Sequence, residues 1–269
     1  MGKRIVIGVV LAALFLSMLY LGRTVQAIAF TWAAVWAVHE MQHLFGQKGY
    51  RPFMAPAYLF AAAYAALLYL LPQVHWMFLW MLCVLIVITE RVINPRRTTQ
   101  DAFAGLSIFL YPLPFFAVLL LPSVKFGEAQ GAVAFLSAFA CPLMGDTLAY
   151  FIGTFFGRHK LCPDISPKKT VEGSVASFLG SILGGALVYL AQGLWGMQVP
   201  LAALLLLGAA CGILGQVGDL FASTIKRWAN IKDFGSIFPG HGGILDRIDS
   251  VLLCAPAVYL CFFLLNALS

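Results

Sequence analysis

The chain has 269 residues, of which 61% are hydrophobic and 10% charged, with a formal net charge of +6 and a mean hydropathy of +0.90. Because a soluble domain carries about a quarter charged residues, this composition excludes an ordinary soluble protein. The apolar runs approach the ~20 residues of a membrane-spanning helix and lack the ~10-residue alternating segments of a transmembrane barrel. We therefore predict an all-α polytopic membrane protein.

Nine apolar runs follow one another along the chain. They cover residues 5–22, 25–44, 54–71, 75–93, 102–121, 129–156, 174–194, 198–225 and 248–267. With a cytoplasmic N-terminus, nine spans place fifteen of the 17 basic residues on the cytoplasmic side, which is the asymmetry that orients membrane proteins. We expect about nine transmembrane helices in the cell inner (cytoplasmic) membrane. Pro112 and Pro114 should kink the fifth.

The runs divide into two regions. Residues 1–125 form an N-terminal region of about five transmembrane helices. Residues 126–269 form a C-terminal catalytic transmembrane region with cytoplasmic loops at 157–173 and 226–247, and we expect it to enclose a polar active-site cavity that faces the cytoplasm. No small-residue cleavage site ends the first run, so we interpret it as a span rather than a signal peptide. The six cysteines include no CxxC pair, which argues against a structural zinc site or a disulfide framework.

The second run ends in HEMQH, residues 39–43, which matches the His-Glu-x-x-His pattern of zinc metalloproteases. His39 and His43 share one helix face, and Glu40 lies between them in the sequence. The pattern is short and no third ligand is evident, so interfacial polar residues at a helix end are the plainer interpretation. A membrane metalloprotease stays open as a weaker alternative.

Two features of the second half indicate a polar site. Asp146 lies inside an apolar run, where an ionisable side chain usually faces a polar cavity. The segment 158–174 then combines Ser166 and Thr170 with four cations, Arg158, Lys160, Lys168 and Lys169. A helix beginning near Thr170 would add free backbone N–H groups, so this segment is a candidate phosphate cradle. A basic loop facing lipid headgroups is the alternative.

Charge is densest in residues 215–250, which hold four of the eleven acidic residues. Asp219, Ser223 and Lys226 are spaced i, i+4 and i+7, so they share one helix face. Asp246 and Asp249, spaced i and i+3, share another. Glycines and a proline between the two sets break any helix, and a hairpin-like re-entry would bring the acidic faces together.

Clustered carboxylates without cysteines or paired histidines favour a hard cation, Mg²⁺ above Zn²⁺. Magnesium keeps several waters and takes substrate phosphates as its remaining ligands. Four nearby cations would neutralise such phosphates: Lys226, Arg227, Lys232 and Arg247. The pattern indicates phosphoryl or nucleotidyl transfer at the cytoplasmic membrane surface.

The same residues resemble a known family. STIKR at 223–227, KDFG at 232–235 and PGHGGILDRID at 239–249 are similar to the signature of phosphatidate cytidylyltransferases (CDP-diacylglycerol synthases), over 27 residues of fixed spacing. GQVGDL at 215–220, GRHKL at 157–161 and SPKKTVEG at 166–173 extend the resemblance across residues 142–252. Two departures are Ala222, where many relatives carry an acidic residue, and Val171 in place of an aromatic residue.

The resemblance implies that the protein transfers CMP from CTP to phosphatidic acid, giving CDP-diacylglycerol and pyrophosphate. Its implied metal ligands are Asp219, Asp246 and Asp249, holding Mg²⁺, and a second cation near Ser223 would fit a two-metal clamp. The catalytic set is then Asp219, Asp246, Lys226 and Arg247. The substrate-binding set is Ser166, Lys168, Lys169, Thr170, Ser223, Arg227, Lys232 and His241. The expected partners are CTP, phosphatidic acid, the bilayer and a second copy in a homodimer, with no nucleic acid.

Other functions stay open from the residues alone. A CTP-dependent enzyme acting on an isoprenoid lipid would need the same phosphate and metal chemistry with a different acceptor. A phosphate-ester or anion transporter would also need buried Asp and Arg, but transporters typically show an internal repeat. The first half contains no counterpart of residues 215–250, which favours an enzyme.

Overall fold

The computed structural model describes residues 2–71, 75–238, 240 and 242–268, and it is almost entirely helical. The described residues form ten α-helices: α1 (Gly2–Tyr20), α2 (Arg23–Gln47), α3 (Ala55–Leu70), α4 (Trp76–Ile93), α5 (Thr99–Leu110), α6 (Leu113–Lys125), α7 (Glu128–Phe155), α8 (Val171–Ala191), α9 (Leu201–Ala229) and α10 (Leu245–Leu268). One antiparallel hairpin, β1 (Lys160–Cys162) and β2 (Ser166–Thr170), connects α7 to α8. The predicted all-α class is confirmed.

Six helices of the described chain are long and apolar enough to cross a membrane: α4, the α5–α6 pair, α7, α8 with its 3-10 extension to Trp195, α9 and α10. The chain is therefore a multi-pass membrane protein. Each of the nine predicted runs corresponds to a helix or a helix pair. The fifth run is interrupted between Leu110 and Leu113. Pro112, the first of the two prolines predicted to kink this run, lies in the break.

The helices belong to two compact units, and the first is Met1–Val124 together with Trp228–Arg247. Its interior is aromatic. Phe60 stacks on Tyr64 with ring centroids 5.8 Å apart, and Phe109 meets Phe60 edge-on at 6.2 Å. Such edge and stacked pairs stabilise a core beyond the area that they bury. The segment between α9 and α10 belongs to this unit, and its described residues are not helical, as its glycines predict.

The second unit comprises Lys125–Arg227 and Ile248–Ser269. Glycines allow its helix backbones to approach closely. A Cβ on Gly184 of α8 would lie 2.7 Å from the carbonyl oxygen of Ala140 in α7, and one on Gly208 of α9 would lie 2.5 Å from the carbonyl oxygen of Ser181. Small residues at such crossings are how membrane helices gain packing contacts. The division predicted from the sequence, 1–125 and 126–269, stays a prediction.

Candidate active site

The hairpin of the second unit forms one wall of a polar cavity of about 510 Å³. The residues that line it come from α7, both strands, α8 and α9. Those with polar side chains are Asp146, Tyr150, Thr154, Lys160, Lys168, Lys169, Thr170, Ser174, Ser177, Gln216 and Asp219. Four of the residues predicted to be functional, Lys168, Lys169, Thr170 and Asp219, therefore lie around one cavity.

Lys169 and Asp219 form an ion pair in this cavity. The Lys169 Nζ lies 2.7 Å from the Asp219 Oδ2, and the two side chains are 25% and 33% exposed. Exposed ion pairs of this kind contribute little to stability. The pair is better explained as two opposite charges that both face a space able to admit a polar ligand.

Thr170 ends the hairpin and begins α8. Its hydroxyl oxygen accepts a hydrogen bond from the Gly173 N–H at 3.1 Å, so it is the N-cap of α8. A capping hydroxyl satisfies one of the four backbone N–H groups that a helix start leaves without partners. The prediction that a helix begins near Thr170 is confirmed. Ser166 is half-buried in β2, and Lys168 is exposed.

Helix α9 carries the predicted acidic and basic residues on one face. The Ser223 hydroxyl donates to the Asp219 Oδ1 at 3.4 Å, as the i, i+4 spacing predicts. Lys226 is only 9% exposed. Arg227 donates from its Nε to the carbonyl oxygen of Ile165 at 3.1 Å, which ties the end of α9 to the turn of the hairpin.

Three carboxylates of the second unit interact electrostatically: Asp146, Asp219 and Asp249. Asp249 is 7% exposed, and it is also close enough to interact with Lys226. Its Oδ1 accepts the backbone N–H of Ser250 at 2.8 Å. Carboxylates this close together repel one another unless cations lie nearby. Lys169 interacts with Asp146 and Asp219, and Lys226 interacts with Asp249.

Magnesium is the metal predicted from the sequence, and the carboxylates of the second unit bear on that prediction. Within the described residues no group of three or more His, Cys, Asp and Glu is arranged to hold a metal ion. Magnesium does not require such a cage, because one or two carboxylates, waters and substrate phosphates complete its shell. The Asp219 and Asp249 carboxylates have the hard oxygen chemistry that such a shell would need.

Asp246 lies in the first unit, where it organises the segment before α10. Its Oδ2 accepts the Phe234 N–H at 2.7 Å and the Gly243 N–H at 2.9 Å. Hydrogen bonds from backbone N–H groups to a carboxylate are strong, so these two bonds fix the orientation of the Asp246 side chain. Lys232 and Arg247 of this unit are exposed. His241 lies outside the described residues.

Sequence reasoning missed five of the polar residues that line the cavity, among them Ser174 and Gln216. The Ser174 hydroxyl donates to the Gln216 Oε1, and the Gln216 Nε2 donates to the carbonyl oxygens of Gly212 at 2.7 Å and Ser174 at 3.2 Å. Gln216 precedes Asp219 by three residues, so helical spacing could have placed both on one face. Asp146 is recognisable from the sequence as an acid inside an apolar run, and the structure leaves it exposed at the cavity. Nothing in its spacing pairs it with Asp219.

The comparisons with known proteins agree with this chemistry. Residues 2–265 match the model of the Cytidylyltransferase family, which is nearly the whole chain. The chain belongs to the cytidylyltransferase family. The similar relatives are named phosphatidate cytidylyltransferase, and the chain spans about half the length of the curated relatives that it matches.

Three of these phosphatidate cytidylyltransferases illustrate the match. One from Synechocystis sp. is 47% identical over 131 residues, covering 48% of this chain and 43% of the relative. One from Thermotoga maritima is 37% identical over 166 residues, covering 61% and 60%. One from Bacillus subtilis is 44% identical over 114 residues, covering 42% and 41%. The resemblance recognised in the signature residues is confirmed at the level of the cytidylyltransferase family.

Proposed function

We propose that the protein transfers CMP from CTP to phosphatidic acid, giving CDP-diacylglycerol and pyrophosphate, with Mg²⁺ as cofactor. The observation that carries the proposal is the cavity in which Lys169 pairs with Asp219 beside Lys168. A cation and a carboxylate in one cavity are what a magnesium–triphosphate ligand needs. Membership of the cytidylyltransferase family and the names of the similar relatives support the same reaction.

The proposed reaction does not need a strong general base. The phosphate of phosphatidic acid is anionic near neutral pH, so one of its oxygens attacks the α-phosphorus of CTP without prior proton removal. A new P–O bond forms, the bond from the α-phosphorus to the β-phosphate bridging oxygen breaks, and pyrophosphate leaves with that bond's electron pair. Alignment and charge neutralisation then supply most of the catalysis.

The cations of the second unit have distinct proposed roles. Lys169 and Lys168, beside the N-terminus of α8, bind the triphosphate together with Ser166 and Thr170. Lys226 and Arg227, in the last turn of α9, neutralise the lipid phosphate and the departing pyrophosphate. Lys168, Lys169 and Thr170 line the cavity, and Lys226 interacts with Asp249, which supports their roles. The roles of Ser166 and Arg227 rest on the sequence.

Asp219 and Asp249 would hold Mg²⁺, with Ser223 adjacent to a second cation. When bound, Mg²⁺ would neutralise phosphate oxygens and fix their geometry. The assignments of Asp246 as a further ligand, of Arg247 as catalytic, and of Lys232 and His241 as substrate-binding stay predictions from the sequence.

The proposed setting is a cytoplasmic membrane crossed nine times, with the N-terminus and the cavity on the cytoplasmic side. The basic-residue asymmetry supports this orientation. A homodimer is part of the proposal as an expectation from the sequence.

The test is turnover of the purified protein in detergent with cytidine-labelled CTP, phosphatidic acid and Mg²⁺. Label that enters the lipid phase only when both phosphatidic acid and Mg²⁺ are present supports the reaction. Label that stays aqueous although the folded protein binds CTP rules out this acceptor, and an isoprenoid lipid is then the acceptor to assay. Absence of CTP binding would contradict the whole proposal.

A further inference from the structure

Glu40, in the HEMQH sequence of α2, is a buried carboxylate with no part in the reaction described so far. It is 2% exposed, whereas His39 and His43 on the same helix are exposed. A buried carboxylate is costly unless hydrogen bonds compensate for its lost hydration. The partners of Glu40 therefore indicate why it is there.

Those partners are backbone groups at the start of α10, 204 and 205 residues further along the chain. The Glu40 Oε1 accepts the Ile244 N–H at 2.7 Å, and the Oε2 accepts the Leu245 N–H at 2.9 Å. The N–H groups at a helix start lack partners within the helix and favour a negative charge. Glu40 thus caps α10 with a side chain from α2.

Two glycines of the signature segment make room for this carboxylate. A Cβ on Gly243 would lie 2.2 Å from the Glu40 Oε1, and a Cβ on Gly235 would lie 2.7 Å from the same oxygen. Gly243 is not among the glycines with positive φ. Position 243 therefore requires glycine because the Glu40 carboxylate occupies the space of a Cβ, and not because of the backbone conformation.

Asp246 holds the same segment through other backbone groups. Its Oδ2 accepts the N–H groups of Phe234 and Gly243, so four backbone N–H groups of residues 234–245 are divided between Asp246 and Glu40. Asp246 lies one residue after the Glu40-bonded Leu245. A shift of that backbone would move the Asp246 carboxylate directly.

We propose that Glu40 is a positioning residue, which holds the start of α10 and thereby fixes Asp246 in the geometry that CMP transfer requires. The inference rests on the proposed function. It also assigns HEMQH a role that needs no zinc, since Glu40 faces the α10 N-terminus and the two histidines are exposed.

The experiment compares Glu40→Gln with a matched variant, Glu90→Gln. Glu90 is a partly buried carboxylate of the same unit that accepts hydrogen bonds from Asn94 at 2.9 Å and Arg97 at 3.1 Å, away from the signature segment. The amide introduced by Glu40→Gln keeps one acceptor oxygen but turns an NH₂ group toward the second N–H. We expect kcat to fall about 10- to 100-fold, because a misplacement of ~1 Å costs up to about 100-fold.

Three measurements distinguish a residue that positions Asp246 from one that only stabilises the fold. In Glu40→Gln the KM for CTP should stay within about twofold of wild type while kcat falls. Hydrogen–deuterium exchange should accelerate in peptides that contain residues 244 and 245. In Glu90→Gln, kcat and this exchange should both be unchanged, even where its unfolding temperature drops. Wild-type kcat and exchange in Glu40→Gln would overturn the inference.

A second experiment tests the inference even if the Glu40→Gln variant does not fold. Gly243→Ala should lower kcat because its Cβ displaces the Glu40 carboxylate. In a Glu40→Ala background, Gly243→Ala should lower kcat no further, since the carboxylate that its Cβ would displace is already absent. A loss of kcat from Gly243→Ala that is as large in the Glu40→Ala background as in the wild type would overturn the inference. Wild-type protein that transfers no label would instead overturn the proposed function, and the exchange measurement would still decide whether Glu40 holds α10.

Discussion

The Nζ of Lys169, in strand β2, lies 2.7 Å from the Oδ2 of Asp219, in helix α9. The two residues are 50 positions apart in the sequence, and the intervening α8 connects their elements. Because both side chains remain partly exposed to the cavity, neither charge is enclosed in a buried structural pair. A phosphate ligand can engage the Lys169 ammonium group while a cation engages the Asp219 carboxylate.

Lys169→Ala should raise the KM for CTP by about 10- to 100-fold, because a hydrogen bond to a charged group contributes about 1.5–3 kcal/mol. Steady-state kinetics over a range of CTP concentrations measure the effect. Lys125→Ala, which removes an exposed cation at the end of α6, is the control and should match wild type. An unchanged KM in Lys169→Ala would remove this lysine from the triphosphate site.

Asp219→Asn should reduce turnover by at least about 100-fold, the scale expected when a preorganised charge at the reacting phosphates is lost. The substituted amide still presents an oxygen to the Ser223 hydroxyl, so the fold should survive. Thermal unfolding in detergent checks the fold, and Asp164→Asn in the exposed turn of the hairpin checks for a general charge effect. Near-normal turnover would take Asp219 out of the metal shell.

Asp246 allows charge to be separated from hydrogen bonding. In Asp246→Asn one oxygen can still accept the Phe234 and Gly243 N–H groups, so the segment should hold its conformation while turnover is lost. In Asp246→Ala the two N–H groups lose their acceptor, so hydrogen exchange of both residues should also accelerate. An Asp246→Asn enzyme with wild-type turnover would show that Asp246 acts through its hydrogen bonds alone.

Removal of divalent cations separates the magnesium proposal from the HEMQH alternative. EDTA should abolish transfer, and added Mg²⁺ should restore it. A zinc-selective chelator should leave transfer unchanged, as should His43→Ala, because His43 is exposed and bonded to Gln47 at 2.9 Å. Activity that depends on zinc and on His43 would favour the metalloprotease interpretation instead.

Gly185→Ala should destabilise the second unit. Its Cβ would lie 2.2 Å from the carbonyl oxygen of Leu204 in α9, so α8 and α9 must separate, at a cost of about 1–3 kcal/mol. Thermal unfolding in detergent measures the loss. Gly193→Ala is the matched control, because a Cβ there would meet nothing within 4 Å. Equal unfolding temperatures for the two variants would show that this crossing relaxes without cost.

The sequence by itself determined the class of protein, the helical runs and the local contacts along α9. Apolar length predicts membrane helices, a proline pair predicts the break between α5 and α6, and i, i+4 spacing predicts the Asp219–Ser223 contact. These features depend on residues within a few turns of one another, so helical periodicity is enough to derive them. The family signature is equally local.

Only the tertiary structure decided which distant side chains meet. Nothing in the spacing of Asp146, Lys169 and Asp219 indicates that three elements bring them to one cavity. HEMQH looks like a zinc motif in one dimension, yet Glu40 contacts a backbone group 204 residues away. The physical reason is that capping and charge pairing depend on how helices pack, and packing is set by apolar and small residues that carry no chemical signature of the site.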